Sequence, residues 1–302
     1  MKNLFLYATT VLIWGSTWLV ITFQLGVVSP ILSVAYRFTL ASLLLFAFAI
    51  LRRVNLRFTA RQHLFFGLQG VLLFSLNYLL VYLAEQRLTS GLVAVIFSTL
   101  VFMNILIGAL FLGTPVRSYV VIGALIGLAG ICLVFLPELK AFSLQDAGFI
   151  GLLLSLGGTL FASIGNIVAA RNQREGLPVV QANAFGMAYG AILMFVFALF
   201  TGTPFRFEFT PGYIVSLVYL ALFGSAIAFG AYLTLLGRIG PDRAAYSSLL
   251  FPIVALGLST LFEGFQWSAP ALIGVLLVLA GNFIVLSRRP KPAAEPRSEI
   301  QV

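Results

Sequence analysis

The sequence predicts an all-α integral membrane protein with ten transmembrane helices arranged as two inverted five-helix repeats. Three observations predict it. Hydrophobic residues make up 61% of the 302 residues and charged residues only 9%, whereas about a quarter of an ordinary soluble domain is charged. Ten apolar runs each come near the roughly 20 residues that a helix needs to cross a bilayer. The chain also matches itself, without gaps, when shifted by half its length.

The composition excludes a soluble enzyme, a nucleic-acid binder and a disordered protein. The net charge of +9 is spread between apolar runs and gathers on no single face. Cys132 and His63 are the only cysteine and histidine. They supply no internal disulfide, thiolate cluster or catalytic histidine pair, so no metal, no cofactor and no enzymatic role is expected. Lys2, Lys140 and Lys291 lie outside the apolar runs, which excludes a buried Schiff base. His63, beside Arg61 at the head of an apolar run, reads as a solvated loop residue.

In order, the spans run Leu4–Gln24, Pro30–Leu51, Leu64–Ala84, Thr89–Leu112, Val116–Leu136, Ala147–Ala170, Pro178–Thr201, Pro211–Leu236, Pro241–Phe262 and Ala269–Leu286. Five begin at or beside a proline (Pro30, Pro178, Pro211, Pro241, Pro270), a residue the first helical turn tolerates because its N–H is unpaired there. The alternating ten-residue segments of a β-barrel are absent. The first run lacks a small-residue cleavage site and reads as a retained span.

Fourteen of the eighteen basic residues fall on one side of this arrangement, and only Arg87, Lys140 and Arg206 on the other. The positive-inside rule therefore places both termini in the cytoplasm, in the cell (inner) membrane. Residues 288–302 read as a disordered cytoplasmic tail whose basic residues serve orientation.

The shift of 151 positions aligns spans three to five with eight to ten: Arg87 with Arg238, Ala94 with Ala245, Ile122-Gly123 with Ile273-Gly274, and Leu128-Ala129-Gly130 with Leu279-Ala280-Gly281. Residues 1–140 thus form one five-span repeat and 141–287 the other. Five is odd, so the second repeat enters from the opposite face, as in many secondary transporters.

Trp14-Gly15-Ser16-Thr17, Tyr36-Arg37-Phe38 with Ala41, Leu88-Thr89-Ser90-Gly91 with Ala94, and Gly123 to Gly130 recur in a set order. Phe251-Pro252, Phe262-Glu263-Gly264 and Gly274 to Gly281 continue it through the second half. In these residues the chain resembles the EamA-type members of the drug/metabolite transporter superfamily over nearly its whole length. The resemblance implies export of small metabolites, amino acids among them, through a central cavity. The first half departs from the pattern: Val101 stands where the second half has Pro252, and Leu112 aligns with Glu263.

Arg37 is the one charge deep within a span, roughly 10 Å from its outer end at 1.5 Å per residue. It reads either as a clamp for a substrate carboxylate, by two guanidinium hydrogen bonds, or as a structural lock on Glu85, Glu263 or helix-end carbonyls. Ser155, Thr159, Ser163 and Asn166 share one face of the sixth span, where helix–helix contact and cavity lining are both open. Trp14 with Trp18, and Asn77 with Tyr78, read as cavity lining, while Tyr82 reads as part of an interfacial belt. Pro252 should kink the ninth span and free the Ser248 carbonyl, turning Ser248 and Tyr246 inward; the kink is either static or a hinge. Glu85, Pro252 and Glu263 are the gate or hinge candidates. Gly123, Gly127 and Gly130, with Gly274 and Gly281, read as close-packing faces.

The residues thus predict an alternating-access exporter of small organic solutes, most directly amino acids, with outward direction taken from the resemblance. Its partners are a small-molecule substrate and the lipid bilayer, with no nucleic acid, and the unit is a monomer or weak dimer. A phosphorylated-sugar or nucleotide-sugar carrier is disfavoured by the single intramembrane basic residue; a non-transporting sensor or scaffold is the rival of another class. No acidic residue or histidine occupies mid-span, so flux is expected to follow the solute gradient without proton drive, unless the outer gate buries Glu263.

Overall fold

The computed structural model describes residues 2–112, 116, 118–134, 147–239 and 247–287, and among them every regular element is a helix. They are α1 (Lys2–Thr22), α2 (Pro30–Leu51), α3 (Ala60–Glu85), α4 (Ser90–Phe97, resuming at Leu100–Leu112) and α5 (Ser118–Val134). The second half holds α6 (Ala147–Arg174), α7 (Val179–Phe200), α8 (Pro211–Ile239), α9 (Ser247–Phe262) and α10 (Ala269–Ser287). Seven helices, α1 to α4 and α6 to α8, contain stretches long and apolar enough to cross a membrane, and α5, α9 and α10 are shorter apolar helices. The predicted tail, Tyr246 and the Ser248 side chain lie outside the described residues.

Local chemistry sets the helix starts. Pro30 and Pro211 sit in the first turns of α2 and α8, whereas Pro178 stands one residue before α7, at its cap. Thr59 and Gln62 close a reciprocal capping box on α3, tying up two backbone amides that would otherwise lack partners. His63 therefore belongs to the first turn of α3, half-buried, and its Nδ1 lies 2.8 Å from the Tyr189 hydroxyl of α7. The solvated-loop reading of His63 is corrected: the capping box extends the helix upstream of the apolar run.

The main contacts cross between the halves. α1 lies on α8 and α9, and α6 lies correspondingly on α3 and α4; α2 packs on α7 and α5 on α10. In the α5–α10 contact a Cβ added to Gly130 would stand 2.5 Å from the Gly274 carbonyl oxygen, and one on Gly274 equally close to that of Gly130. Gly281 faces the Gly123 carbonyl in the same way. Since Gly130 meets Gly274 while Gly123 meets Gly281, the two helices run antiparallel. The glycine faces read in the sequence are thus each other's partner, and backbone meets backbone there.

Two matching irregularities mark the third helix of each half. Gly70–Leu76 in α3 and Leu220–Ile227 in α8 are π-helical, a wider turn that leaves carbonyls without their usual partner and often marks functional sites. In each, a serine hydroxyl donates to the carbonyl five residues back: Ser75 to Gly70 at 3.0 Å and Ser225 to Leu220 at 2.9 Å. The fourth helices differ. Pro252 lies inside α9, while α4 breaks at Ser98 and Thr99, whose hydroxyls donate back to Val95 and Ile96, both at 2.7 Å. Asn282 of α10 donates to the Ser98 hydroxyl at 3.0 Å. Hydroxyls that compete for backbone carbonyls bend a helix without proline, so the break survives the presence of Val101.

The start of α4 is completed by the opposite half. Glu263, just past α9, accepts from the Ser90 N–H at 3.1 Å and from the Ser90 hydroxyl. The carboxylate thereby occupies the positive end of the α4 dipole.

Two stability outcomes follow, each read by thermal melting in detergent. Gly130→Val should lower stability by about 2 kcal/mol or more by driving α5 off α10, whereas Gly257→Ala on α9, where nothing lies within 4 Å, should be neutral or slightly stabilising. A double-mutant cycle of Ser90→Ala with Glu263→Ala should return a coupling of about 1 kcal/mol; strict additivity would show that the Ser90 hydroxyl contributes nothing to the contact.

Candidate functional site

The π-helical stretch of α8 brings three candidate residues together. Its widened turn presents Gly224 and Ser225 to α1 and α2. Arg37 of α2, only 1% exposed, donates through Nε to the Ser225 hydroxyl at 3.3 Å. Trp14 of α1 donates through Nε1 to the Gly224 carbonyl, also at 3.3 Å. Gly224 is required there: a Cβ would stand 2.7 Å from Thr17 Cγ2 and 3.3 Å from Arg37 Nη2. The guanidinium also lies over the Tyr78 ring, 4.5 Å from its centroid, a contact worth about 1–2 kcal/mol where water is excluded.

Among the described residues, neither acidic lock partner hydrogen-bonds to Arg37. Both Glu85 oxygens are buried without a hydrogen-bond partner, and the Glu263 carboxylate is engaged by Ser90. Arg37 Nη1 likewise has none. Other candidates share this condition. Trp18, between the Phe97 and Phe251 rings, leaves Nε1 unpaired. Asn77 donates to the Leu73 carbonyl at 3.2 Å but leaves Oδ1 unpaired. On α6, Ser163 and Ser155 have buried, unpaired hydroxyls, while Thr159 bonds back to the Ser155 carbonyl at 2.8 Å; Asn166 is half-buried on the same helix. Tyr78 packs edge-on against Phe38, ring centroids 4.8 Å apart.

Polar clusters that sequence reasoning missed lie toward the two ends. Near the start of α8, Gln24 donates to Ser216 Oγ at 3.2 Å and accepts from Tyr82 at 3.3 Å, and the Ser33 and Tyr213 hydroxyls lie 3.0 Å apart. Tyr82 is fully buried, so its reading as an interfacial belt residue is corrected: its hydroxyl finds a partner inside the bundle. Toward the other end, Gln69 of α3 donates to Asn183 of α7 at 2.9 Å and accepts from Asn172 of α6 at 3.0 Å. Arg171 joins through Asn172 Oδ1 at 3.2 Å and lies over the Phe65 ring. A glutamine on the inward face of an apolar run is the signal that could have found both clusters, since a buried amide needs partners.

Comparison with known proteins agrees with this architecture. Residues 1–136 and 149–287 match the EamA-like transporter family, one match in each half. An uncharacterized inner membrane transporter of Escherichia coli strain K12, YedA, is 31% identical over 296 residues, covering 94% of this chain and 92% of the relative. A protein of Salmonella typhimurium named a probable amino-acid metabolite efflux pump is 25% identical over 292 residues, covering 94% of each chain. A solved crystal structure superposes with a TM-score of 0.68 at 19% identity, covering 93% of this chain and 95% of that one, and supports the fold. The apolar helices, the two-part family match and these relatives lead to one conclusion: this chain is a multi-pass membrane transporter, not an enzyme, and it belongs to the EamA-like transporter family.

Proposed function

We propose that this chain exports small zwitterionic metabolites, amino acids foremost, by alternating access at the interface of two inverted five-helix halves. Arg37 carries the reading. A fully buried guanidinium whose hydrogen-bond partners are the neutral Ser225 and Tyr82 hydroxyls, and whose Nη1 is bare, is costly unless another group completes it. A substrate carboxylate matches it in charge and geometry. Asn77 Oδ1 and the Ser163 hydroxyl are unpaired acceptors that an ammonium group would use, and Trp14, Trp18 and Tyr78 supply an apolar wall for the side chain. Tyr246, Ser248 and Asn166 stay with this cavity on sequence grounds.

The antiparallel glycine contact of α5 and α10 and the repeated π turns of α3 and α8 support ten spans in inverted halves, divided near residue 140. The distribution of basic residues supports cytoplasmic termini and an inner-membrane setting. Glu263 on Ser90 fits a gate contact and Pro252 a hinge in α9. A monomer suffices for this reading, because Arg37 and its partners Ser225 and Tyr78 come from both halves of one chain. The name of the Salmonella relative, a probable amino-acid metabolite efflux pump, favours amino acids.

The test is flux of radiolabelled amino acids in proteoliposomes. Arg37→Ala should abolish saturable transport while the protein still inserts. Arg37→Lys should lower kcat/KM about tenfold or more, because a point charge lacks the planar fork. Normal transport by Arg37→Ala would overturn the carboxylate clamp.

A further inference from the structure

Glu85 is the most unusual side chain in the described structure. It is 7% exposed, and neither carboxyl oxygen has a hydrogen-bond partner. A bare carboxylate in such a place is very costly, whereas a neutral carboxylic acid is far less so. The groups around it bear on the choice. Glu85 is the last residue of α3, where the helix dipole presents its negative end and disfavours a second negative charge. Glu263, from the end of α9, is within electrostatic reach and adds another, and it is held in place by the start of α4. Arg37 of α2 is a cation within electrostatic reach, but it makes no hydrogen bond to Glu85: its Nε is directed to Ser225, its face to Tyr78, and it also hydrogen-bonds Tyr82. Tyr82, one turn back on α3, donates to Gln24. Arg87 is exposed and turned onto the Leu83 carbonyl at 2.8 Å. The only charged residues of α1 and α6 are Lys2, Arg171 and Arg174, at the far ends of those helices, and α4 carries none.

We propose that Glu85 is a proton-binding site of the outer gate: it is the neutral acid while the gate is closed, and it gives its proton to the outer water when the gate opens. The carboxyl O–H ionises to carboxylate and hydronium on opening, and the same carboxylate takes a proton back from the same compartment before closing. The Glu263–Ser90 contact between the halves lies next to this group and must part for water to reach it. Because the proton leaves and returns on one face, the cycle carries no net proton across the membrane. Outer pH then sets the rate of the closing step without driving accumulation, which agrees with the absence of a mid-span acid. The proposal rests on the transport reading and on the outward placement of this end of α3.

The experiment uses the full chain in proteoliposomes with a radiolabelled amino-acid mixture, the two faces being titrated separately. Raising outer pH from about 6 to about 9 should slow wild-type exchange at least about threefold, as the ionised open form accumulates. Glu85→Gln, whatever its absolute rate, should show no such slope, and Glu85→Asp should keep one. A wild-type slope in Glu85→Gln, accumulation driven by an imposed pH gradient, or a requirement for sodium would each overturn the proposal. A slope that follows the opposite face, and is still lost in Glu85→Gln, keeps the proton site and overturns the orientation.

A second readout needs no solute. A carboxyl that is neutral in the native protein and ionised in the unfolded chain gives the native state the larger proton count, so stability falls as pH rises. In detergent, wild-type Tm should drop by several degrees relative to Glu85→Gln between about pH 5.5 and about pH 8.5. Parallel pH profiles would overturn the proton site. A divergence without any amino-acid flux would leave it standing and reject the transport reading instead.

Discussion

The fold depends on contact between its two halves. α1, α2, α5, α6 and α7 all bury their main faces against helices of the opposite half. In a bilayer, lipid tails are as apolar as leucine, so association must come from close packing and polar contacts. The glycines of α5 and α10 provide the first by letting backbones touch. The clusters around Gln24 and Gln69 provide the second, each joining helices from both halves. Buried polar groups gather between the halves as a consequence of the architecture, because that is where they are sheltered from lipid.

The duplicated frame does not make duplicated chemistry. Both π turns carry the same serine-to-carbonyl bond, yet they serve different neighbours. In α8, Ser225 also receives Arg37 and Gly224 makes room for it. In α3, Ser75 also bonds the Gly190 carbonyl, and Gly70 lies directly against the Gly186 carbonyl. One half admits a buried cation where the other brings two backbones together. The unpaired atoms of Arg37, Asn77, Trp18 and Ser163 belong to this asymmetric region, where an unmet hydrogen bond is most costly and a ligand is worth most.

Much of the frame was legible in the sequence, for definite reasons. Apolar run length marked the helices, Pro30 and Pro211 marked first turns, and the glycines matched at a shift of 151 positions lie on the two faces that meet, in crossed pairs. What stayed hidden depends on tertiary surroundings. A π turn adds one residue to a turn and leaves no mark in composition, so Ser225 and Gly224 gave no sign of their role. Tyr82 has the residue type and position of a belt residue, and only Gln24 makes it interior. Arg37 was identified from its depth alone, but its lack of an acidic partner depends on where Glu263 goes. Glu85 was marked as a gate candidate; its isolation is a property of packing.

The cap on α4 has a consequence for biosynthesis. The residue that completes the first helical turn is 173 positions downstream. At about 5–20 residues per second, ribosomes need on the order of ten seconds or more to reach it. Throughout that interval the opening amides of α4 lack the acceptor that completes them in the folded chain. Arrival of Glu263 supplies it. The same side chain that caps α4 in the finished protein thus reports, during synthesis, that the second half has been made.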